Sequence, residues 1–215
     1  MNFHIVTLFP KLVEPYFAES IVARACRRGV VRVSVHDLKK YGGKRYRVDD
    51  RPYGGGPGMV IRAEPVIRAV AVAKRQAPKA KVVILSPGGK EFTNKLAEQW
   101  AKQRMPLILI AGRYEGIDAR VKKILKAQEI SIGNYTVTGG ELPALIILDA
   151  VTRRLPGVLG DDLSVEEKRI VSHDVYTRPE VITIKGHRYR VPKILLSGHH
   201  QKIDDWKLDK KVMNV

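Results

Sequence analysis

Pro106-Leu-Ile-Leu-Ile-Ala-Gly-Arg-Tyr-Glu-Gly-Ile-Asp118 joins a short apolar run to a glycine-containing loop. The run Pro106–Ala111 has the length and composition of a strand that is buried on both faces. The same pattern occurs on either side of it. Ala80–Leu85 is followed by Ser86–Lys90, and the short strand Glu129–Ile132 leads into a loop over Ile132–Glu141. Strands of this kind that alternate with helices predict an α/β protein with a parallel sheet covered on both faces.

The rest of the chain extends this pattern and then changes character. Further strands are predicted at Phe3–Leu8 and Val30–His36, and helices at about Leu12–Arg28, Ala63–Gln76, 93–103, 117–126 and Glu141–Arg154. Residues 159–175 are polar and lack a period, which predicts a linker. A hairpin near Ile182–Val191 and a helix from about His199 follow it. We therefore predict a main domain over residues 1–158 and a small C-terminal segment over residues 176–215.

The composition is that of a globular chain and excludes several classes of protein. Hydrophobic residues make up 44% of the 215 residues and charged residues 28%, which excludes a disordered or collagen-like chain. Cys26 is the only cysteine, so an intrachain disulfide and a cysteine-based zinc site are excluded. No apolar run approaches the roughly 20 residues of a membrane span. We expect a cytoplasmic protein with no membrane partner.

The charge of the chain is strongly positive and unevenly distributed. Lys and Arg number 39 against 22 Asp and Glu, for a net charge of +17. Most of this excess, +15, lies in residues 1–158, and residues 159–215 carry only +2. A basic excess of this size favours binding to a phosphate backbone. Nucleic acid is therefore the predicted partner.

The three glycine-containing loops predict a small-molecule pocket. In an open α/β sheet, ligands bind outside the carboxyl ends of the strands, where glycine lets the backbone approach the ligand. Ser86–Lys90 is not a phosphate-binding P-loop, because Glu91 follows Lys90 where serine or threonine is needed. No G-x-G-x-x-G sequence follows a strand either. A pocket of this kind suits a nucleoside whose adenine edge is read by peptide groups.

Five longer motifs give the chain a family resemblance. In order they are Val48–Met59 (VDDRPYGGGPGM), Gly112–Asp118 (GRYEGID), Ile130–Pro143 (ISIGNYTVTGGELP), Tyr176–Pro179 (YTRP) and Leu195–Gly198 (LLSG). Together they resemble the bacterial tRNA (guanine-N1)-methyltransferases, which belong to the trefoil-knotted SPOUT superfamily and methylate guanosine 37, next to the anticodon. The resemblance runs from residue 1 to about residue 206, apart from the linker.

The resemblance implies a fold, a reaction and partners. The fold would be a parallel α/β sheet with a deep C-terminal trefoil knot in the main domain, plus a small, shortened C-terminal helical segment. The reaction would be S-adenosylmethionine-dependent methylation of N1 of guanosine 37. The partners would be the anticodon stem-loop of tRNA and a second copy of the chain, with active sites shared in a homodimer. Assistance by Mg²⁺ stays open, and no residue is assigned to a metal.

The resemblance also assigns residues to the cofactor and the substrate. The cofactor-binding residues would be Pro87, Gly88, Gly112, Tyr114, Ile132, Gly133, Asn134, Tyr135, Thr136, Val137, Gly139, Gly140 and Pro143. The substrate-binding residues would be Asp50, Tyr53, Gly58 and Glu115. Asp50 lies among arginines, so a surface ion pair explains it equally well.

Methyl transfer to N1 of guanine needs a base and a cation. The N1 proton must be removed, and the charge that develops on O6 must be stabilised. The resemblance assigns the cation to Arg153, with Arg154 as a close alternative. It assigns the base to an acid of the linker, for which Glu167 is the nearest match. The other candidates for this base are Asp161, Asp162, Glu166 and Asp174.

Two other functions stay open at this point. The linker is a few residues shorter than in the family, and Asn134 stands where the family usually has Asp. A non-catalytic RNA-binding protein that keeps the knotted fold is therefore one alternative. A knotted enzyme that methylates ribose 2′-hydroxyls of RNA is the other, although the guanosine-type motifs argue against it.

Overall fold

The computed structural model describes residues 1–43, 47–159 and 174–209. It divides the chain into two compact units, Met1–Gly160 and Asp161–Val215. The strands of the first unit are β1 (Asn2–Thr7), β2 (Arg32–Asp37), β3 (Asp49–Asp50), β4 (Val60–Ile61), β5 (Lys81–Glu91), β6 (Leu107–Ala111) and β7 (Gln128–Ser131). Five of them form a sheet in the order β2-β1-β6-β5-β7 in which every pairing is parallel. The predicted parallel α/β sheet is confirmed.

Helices cover both faces of this sheet. They are α1 (Pro10–Val13), α2 (Ser20–Arg27), α3 (Ala63–Gln76), α4 (Asn94–Gln103), α5 (Arg120–Leu125) and α6 (Glu141–Thr152). Helices α2, α4 and α6 pack on one face, and α3 and α5 pack on the other. The central strand β6 shows why: Leu107 and Leu109 point into the first core, whereas Ile108 and Ile110 point into the second. A continuous apolar run is required because alternate side chains enter opposite cores.

The predicted helix over Leu12–Arg28 is wrong as a single element. The chain forms the short helix α1, a 3₁₀ turn over Glu14–Phe17, and then α2. Pro15 lacks the N–H that a continuing α-helix would use, and it is the second residue of the 3₁₀ turn. Ser20 has a positive φ of 62°, which reorients the chain before α2.

The predicted loop over Ser86–Lys90 does not end its strand. Strand β5 continues to Glu91, and both Leu85 and Lys90 align with Ile130 of β7. The residues between them therefore form an irregularity within the strand. A Cβ atom on Gly89 would lie 2.5 Å from the backbone nitrogen of Ile130, so glycine is what lets the two strands meet again after this irregularity.

The second unit contains the predicted hairpin and helix. Its elements are β8 (Val181–Ile184), β9 (His187–Arg190), a 3₁₀ turn over Lys193–Leu196, and α7 (His200–Asp209). The hairpin is antiparallel, and the rings of Tyr176 and Trp206 lie 6.3 Å apart. Within the three described ranges, no helix has the length and apolarity that crossing a membrane requires.

Candidate active site

A cavity of about 380 Å³ lies at the carboxyl ends of β5, β6 and β7. Its size falls in the range of small-molecule sites. The cavity is lined by residues 84–87, 112–119, 122, 129–132, 135–140 and 143. All three glycine-containing segments that the sequence analysis identified therefore contribute to one cavity.

Two of the lining loops touch each other backbone to backbone. The amide nitrogen of Gly140 donates a hydrogen bond to the carbonyl oxygen of Gly112 over 2.8 Å. A Cβ atom on Gly140 would lie 2.6 Å from Cα of Ala111, and one on Gly139 would overlap the guanidinium of Arg113. Glycine was expected here to make room for a ligand. At these two positions it makes room for the other loop.

A buried carboxylate joins these loops to the first strand. The side chain of Glu141 is 2% exposed and accepts two hydrogen bonds. Thr7 Oγ1 donates to one carboxylate oxygen over 2.7 Å, and Arg113 Nε donates to the other over 2.9 Å. Arg113 also donates to the carbonyl oxygen of Thr138, and its guanidinium carbon lies 4.8 Å from the ring centroid of Phe9. Arg113 lies in the motif Gly112–Asp118 and Glu141 in the motif Ile130–Pro143, but no pattern in the sequence predicts that the two side chains form an ion pair.

Two of the three acids that line the cavity, Asp118 and Glu129, form ion pairs. Asp118 accepts hydrogen bonds from the Arg120 side chain, the shortest of them 2.6 Å long. These bonds lower the pKa of the Asp118 carboxyl group and raise the pKa of Arg120. Lys122 forms a second ion pair with Glu129 across the same lining.

The loop over residues 113–118 binds the glycine-rich segment that ends at Met59. The amide of Glu115 donates to the carbonyl oxygen of Met59 over 3.0 Å, and the amide of Ile61 donates to Gly116. Gly58 has a φ of +78°, and a Cβ atom there would lie 2.6 Å from Oε1 of Glu115. Two of the predicted substrate-binding residues, Gly58 and Glu115, therefore lie in contact.

The cavity gathers many, but not all, of the residues predicted from the family. The cofactor candidates that line it are Pro87, Gly112, Tyr114, Ile132, Tyr135, Thr136, Val137, Gly139, Gly140 and Pro143. Gly88, Gly133 and Asn134 are described but lie outside its lining. Of the substrate candidates, Glu115 lines the cavity, whereas Asp50 pairs with Arg47 over 3.1 Å and Tyr53 is 99% exposed. The binding role of each of these residues stays a prediction.

Arg153 lies at the far end of a helix from the cavity of its own chain. Helix α6 begins with Glu141 beside the cavity and ends at Thr152. Twelve residues at about 1.5 Å each separate its ends by about 18 Å. Arg154 is held elsewhere, because it donates to the carbonyl oxygen of Ala150 over 2.7 Å and to Asn94 over 2.8 Å.

The predicted base cannot be placed in the structure. Glu167 lies outside the described residues, as do Asp161, Asp162 and Glu166. Asp174 is described and exposed. Across the described ranges, no group of three or more His, Cys, Asp or Glu side chains is arranged to hold a metal ion, so the expectation of Mg²⁺ assistance gains no support.

The fold and the cavity define an α/β protein with a candidate ligand site at the carboxyl edge of a parallel sheet. The family model described as "tRNA (Guanine-1)-methyltransferase TrmD" matches residues 1–215. A tRNA (guanine-N(1)-)-methyltransferase of Thermus thermophilus is 46% identical over 212 residues, which cover 96% of this chain and 85% of that protein. A second relative with the same description, from Geotalea uraniireducens, is 41% identical over 96% of this chain and 84% of its own length.

A solved structure agrees with the sequence relatives. The crystal structure of the tRNA (m1G37) methyltransferase from Aquifex aeolicus superimposes with a TM-score of 0.80 at 40% identity, over 97% of this chain and 88% of that one. The chain therefore belongs to the tRNA (guanine-1)-methyltransferase family. The resemblance inferred from the five motifs is confirmed.

Proposed function

We propose that this chain transfers the methyl group of S-adenosylmethionine to N1 of guanosine 37 in tRNA. The observation that carries the proposal is that the loops over residues 112–118 and 130–143, which carry the family's motifs, meet the irregular part of β5 in one cavity. The reaction replaces the N1–H bond with an N1–CH₃ bond. It leaves S-adenosylhomocysteine and one proton.

The residues around the cavity fit this cofactor. The lining combines apolar side chains such as Leu85, Val137 and Pro143 with backbone groups of two glycine-containing loops, which suits a flat adenine read by peptide groups. When bound, S-adenosylmethionine supplies an electrophilic methyl group. The chain's own contribution is to hold the loops together through the contact between Gly112 and Gly140.

Two side chains that the family resemblance assigns would remove the N1 proton and stabilise the charge on O6. Glu167 would accept the proton from N1 and so free the lone pair that takes the methyl group. Arg153 would donate hydrogen bonds to O6, where negative charge accumulates. Within one chain Arg153 lies about a helix length from the cavity, and Glu167 lies outside the described residues.

A shared active site in a homodimer would bring Arg153 to a cavity. Helix α6 presents Leu142 and Ile146 to solvent, with side chains 59% and 43% exposed. Asp149 and Arg153 continue this stripe at helical spacing, so Arg153 stands at its end. A second copy that covers the stripe would bury its apolar residues and receive Arg153 at the covered face.

Three further features belong to the same proposal. The main domain would contain a deep trefoil knot, which the family resemblance implies. The basic excess of residues 1–158 would bind the anticodon stem-loop. The protein would act in the cytoplasm, where tRNA is modified.

The test is methylation of tRNA transcripts that carry guanosine or adenosine at position 37. We expect N1-methylguanosine in the first transcript and no product in the second. Methyl groups found on ribose, or tRNA binding with no transfer to either transcript, would contradict the proposal and favour one of the two alternative functions.

Substitutions of the assigned base and cation separate their roles. Glu167→Gln should lower kcat by roughly 10²–10⁴-fold, with partial recovery at high pH, where guanine loses its proton unaided. Arg153→Ala should lose rate without recovery at high pH, since O6 still lacks its partner. If the Glu167→Gln enzyme keeps the rate of the wild type, the base is another acid of the linker.

A further inference from the structure

The ion pair between Arg113 and Glu141 is a charged feature of the cavity that the proposed mechanism does not use. Arg113 lines the cavity with a side chain that is 20% exposed, whereas the Glu141 side chain is 2% exposed and lies behind it. The other cation of the described lining, Lys122, pairs with Glu129 nearer to solvent, where its side chain is 54% exposed. Water screens that second pair more strongly than the first.

The proposed cofactor and its product differ by one charge. S-adenosylmethionine carries a positive sulfonium, whereas S-adenosylhomocysteine has a neutral thioether and no net charge. An uncompensated guanidinium in the lining would repel the first and leave the second almost unaffected. The carboxylate of Glu141 cancels the charge of Arg113 over 2.9 Å.

We propose that Glu141 is a positioning and charge-compensating residue that lets Arg113 hold the cavity loops without repelling the sulfonium, and so sets the preference for cofactor over product. The inference rests on the proposed function. Arg113 is needed as a cation because it bridges the loops, donating to Glu141 and to Thr138 and covering the ring of Phe9. Without the carboxylate, the same bridge would place a net positive charge on the lining.

The expected change in the affinity for S-adenosylmethionine follows from the charge alone. One unit charge about 10 Å from a cation, at an effective dielectric constant of about 20–40, changes its affinity by about fourfold to sixteenfold. The quantity to measure is the ratio of the affinities for S-adenosylmethionine and S-adenosylhomocysteine. A loss of structure lowers both affinities, whereas a loss of charge compensation changes their ratio.

The test is calorimetry of both ligands with four forms of the full chain. Glu141→Gln should lower the ratio by about fourfold to sixteenfold, because the guanidinium is then uncompensated. Arg113→Gln should raise the ratio, because the carboxylate is then uncompensated. The double variant should return to the ratio of the wild type. If Glu141→Gln fails to fold, Arg113→Gln still tests the inference, because it should shift the ratio in the opposite direction.

Two controls separate charge from structure. Thr7→Val removes the hydrogen bond to the other carboxylate oxygen of Glu141 without changing a charge, so the ratio should stay constant. Glu98→Gln makes the same change of charge on α4, in an exposed pair with Lys102 away from the cavity lining, and should also leave the ratio unchanged.

Two results would overturn the inference in different ways. Equal changes in both affinities for every variant would show that the pair is only structural, while the proposed function stands. A wild-type chain that binds neither ligand would overturn the proposed function itself, and the inference with it.

Discussion

Gly140 and Gly112 are joined by a backbone hydrogen bond of 2.8 Å, although 28 residues separate them in the chain. The bond brings the loop before α6 against the loop after β6, and both loops line the cavity. A Cβ atom on Gly140 would lie 2.6 Å from Cα of Ala111 and 2.7 Å from the nitrogen of Gly112. The obstacle is the backbone of Ala111 and Gly112, which cannot rotate away as a side chain can.

Gly140→Ala should therefore destabilise the protein and weaken S-adenosylmethionine binding. Overpacking of this kind costs about 1–3 kcal/mol. For a chain of this size, that lowers Tm by roughly 2–12 °C. Differential scanning calorimetry measures the shift. Gly88→Ala is the matched control for stability, because a Cβ atom there meets nothing within 4 Å. An equal loss of Tm in both variants would contradict the explanation.

Two histidines form a buried pair on neighbouring strands. His4 Nδ1 of β1 lies 3.0 Å from His36 Nε2 of β2, and His4 Nε2 has no hydrogen-bond partner among the described residues. Burial, and then the neighbouring His36, lower the pKa of His4 from 6.5 to about 4. Burial lowers the pKa of His36 as well. The folded protein therefore favours the neutral form of both rings.

This pair should make the protein sensitive to acid. Between pH 6.5 and about 4, His4 is protonated in the unfolded chain and mostly neutral in the folded chain. The free energy of unfolding is then constant above this window and falls as the pH drops through it, by about 2 kcal/mol at pH 5 from His4 alone. Chemical denaturation at pH 8 and pH 5 measures the loss.

Substitutions identify the groups responsible for the loss. The His4→Asn variant should lose much of the difference between the two pH values, because the titrating group is gone. His200→Asn changes an exposed histidine and should keep the pH dependence of the wild type. Equal pH dependence in the wild type and His4→Asn would place the sensitivity in another group.

The hairpin of the second unit has one basic face. Arg190 pairs with Val181 and Arg188 with Thr183, so the two arginines point to the same side. Ile182, Ile184 and Tyr189 point to the other side and are at least half exposed. The arginine face suits contact with tRNA phosphates.

Changing both arginines to glutamine should weaken tRNA binding and flatten its dependence on salt. Each lost phosphate contact reduces the slope of log K against log salt by about 0.7–0.9, so the double variant should lose up to about 1.8. Filter binding over a salt series measures the slope. A double change to lysine keeps both charges and should keep the slope. An unchanged slope in the glutamine variant would place the phosphate contacts elsewhere.

Mixing two inactive variants tests whether Arg153 serves the cavity of a second chain. Arg153→Ala lacks the cation, and Val137→Trp fills the cavity. In a mixed dimer, the Arg153→Ala chain offers an intact cavity and its partner offers Arg153. Half of the dimers are mixed and one of their two sites is complete, so about a quarter of the wild-type activity should return.

The same experiment has a clear negative result. If each site used only one chain, every site would carry a defect and the mixture would stay inactive. Size-exclusion chromatography of the two variants alone serves as the control that each still forms dimers.

The elements of the main sheet were predictable because their signals are local. The run Leu107–Ala111 is apolar throughout because both of its faces are buried, and the predicted helix Ala63–Gln76 matches α3 at both ends. The break of the first predicted helix was harder to predict, because Pro15 is compatible with either the first turn of an α-helix or a 3₁₀ turn. Ser20, with a φ of 62°, then separates the 3₁₀ turn from α2, and a positive φ at a serine has no signal in the sequence.

The sequence by itself determined the parallel α/β sheet, the three glycine-containing segments that line the cavity, and the family. Local periodicity and long motifs carry that information. Only the tertiary structure decided that Glu141 pairs with Arg113 and Thr7, that β5 rejoins β7 after its irregularity, and that Arg153 lies a helix length from the cavity of its own chain. These relationships join residues distant in sequence, or depend on the direction of a helix in space, and no local pattern of residues specifies either.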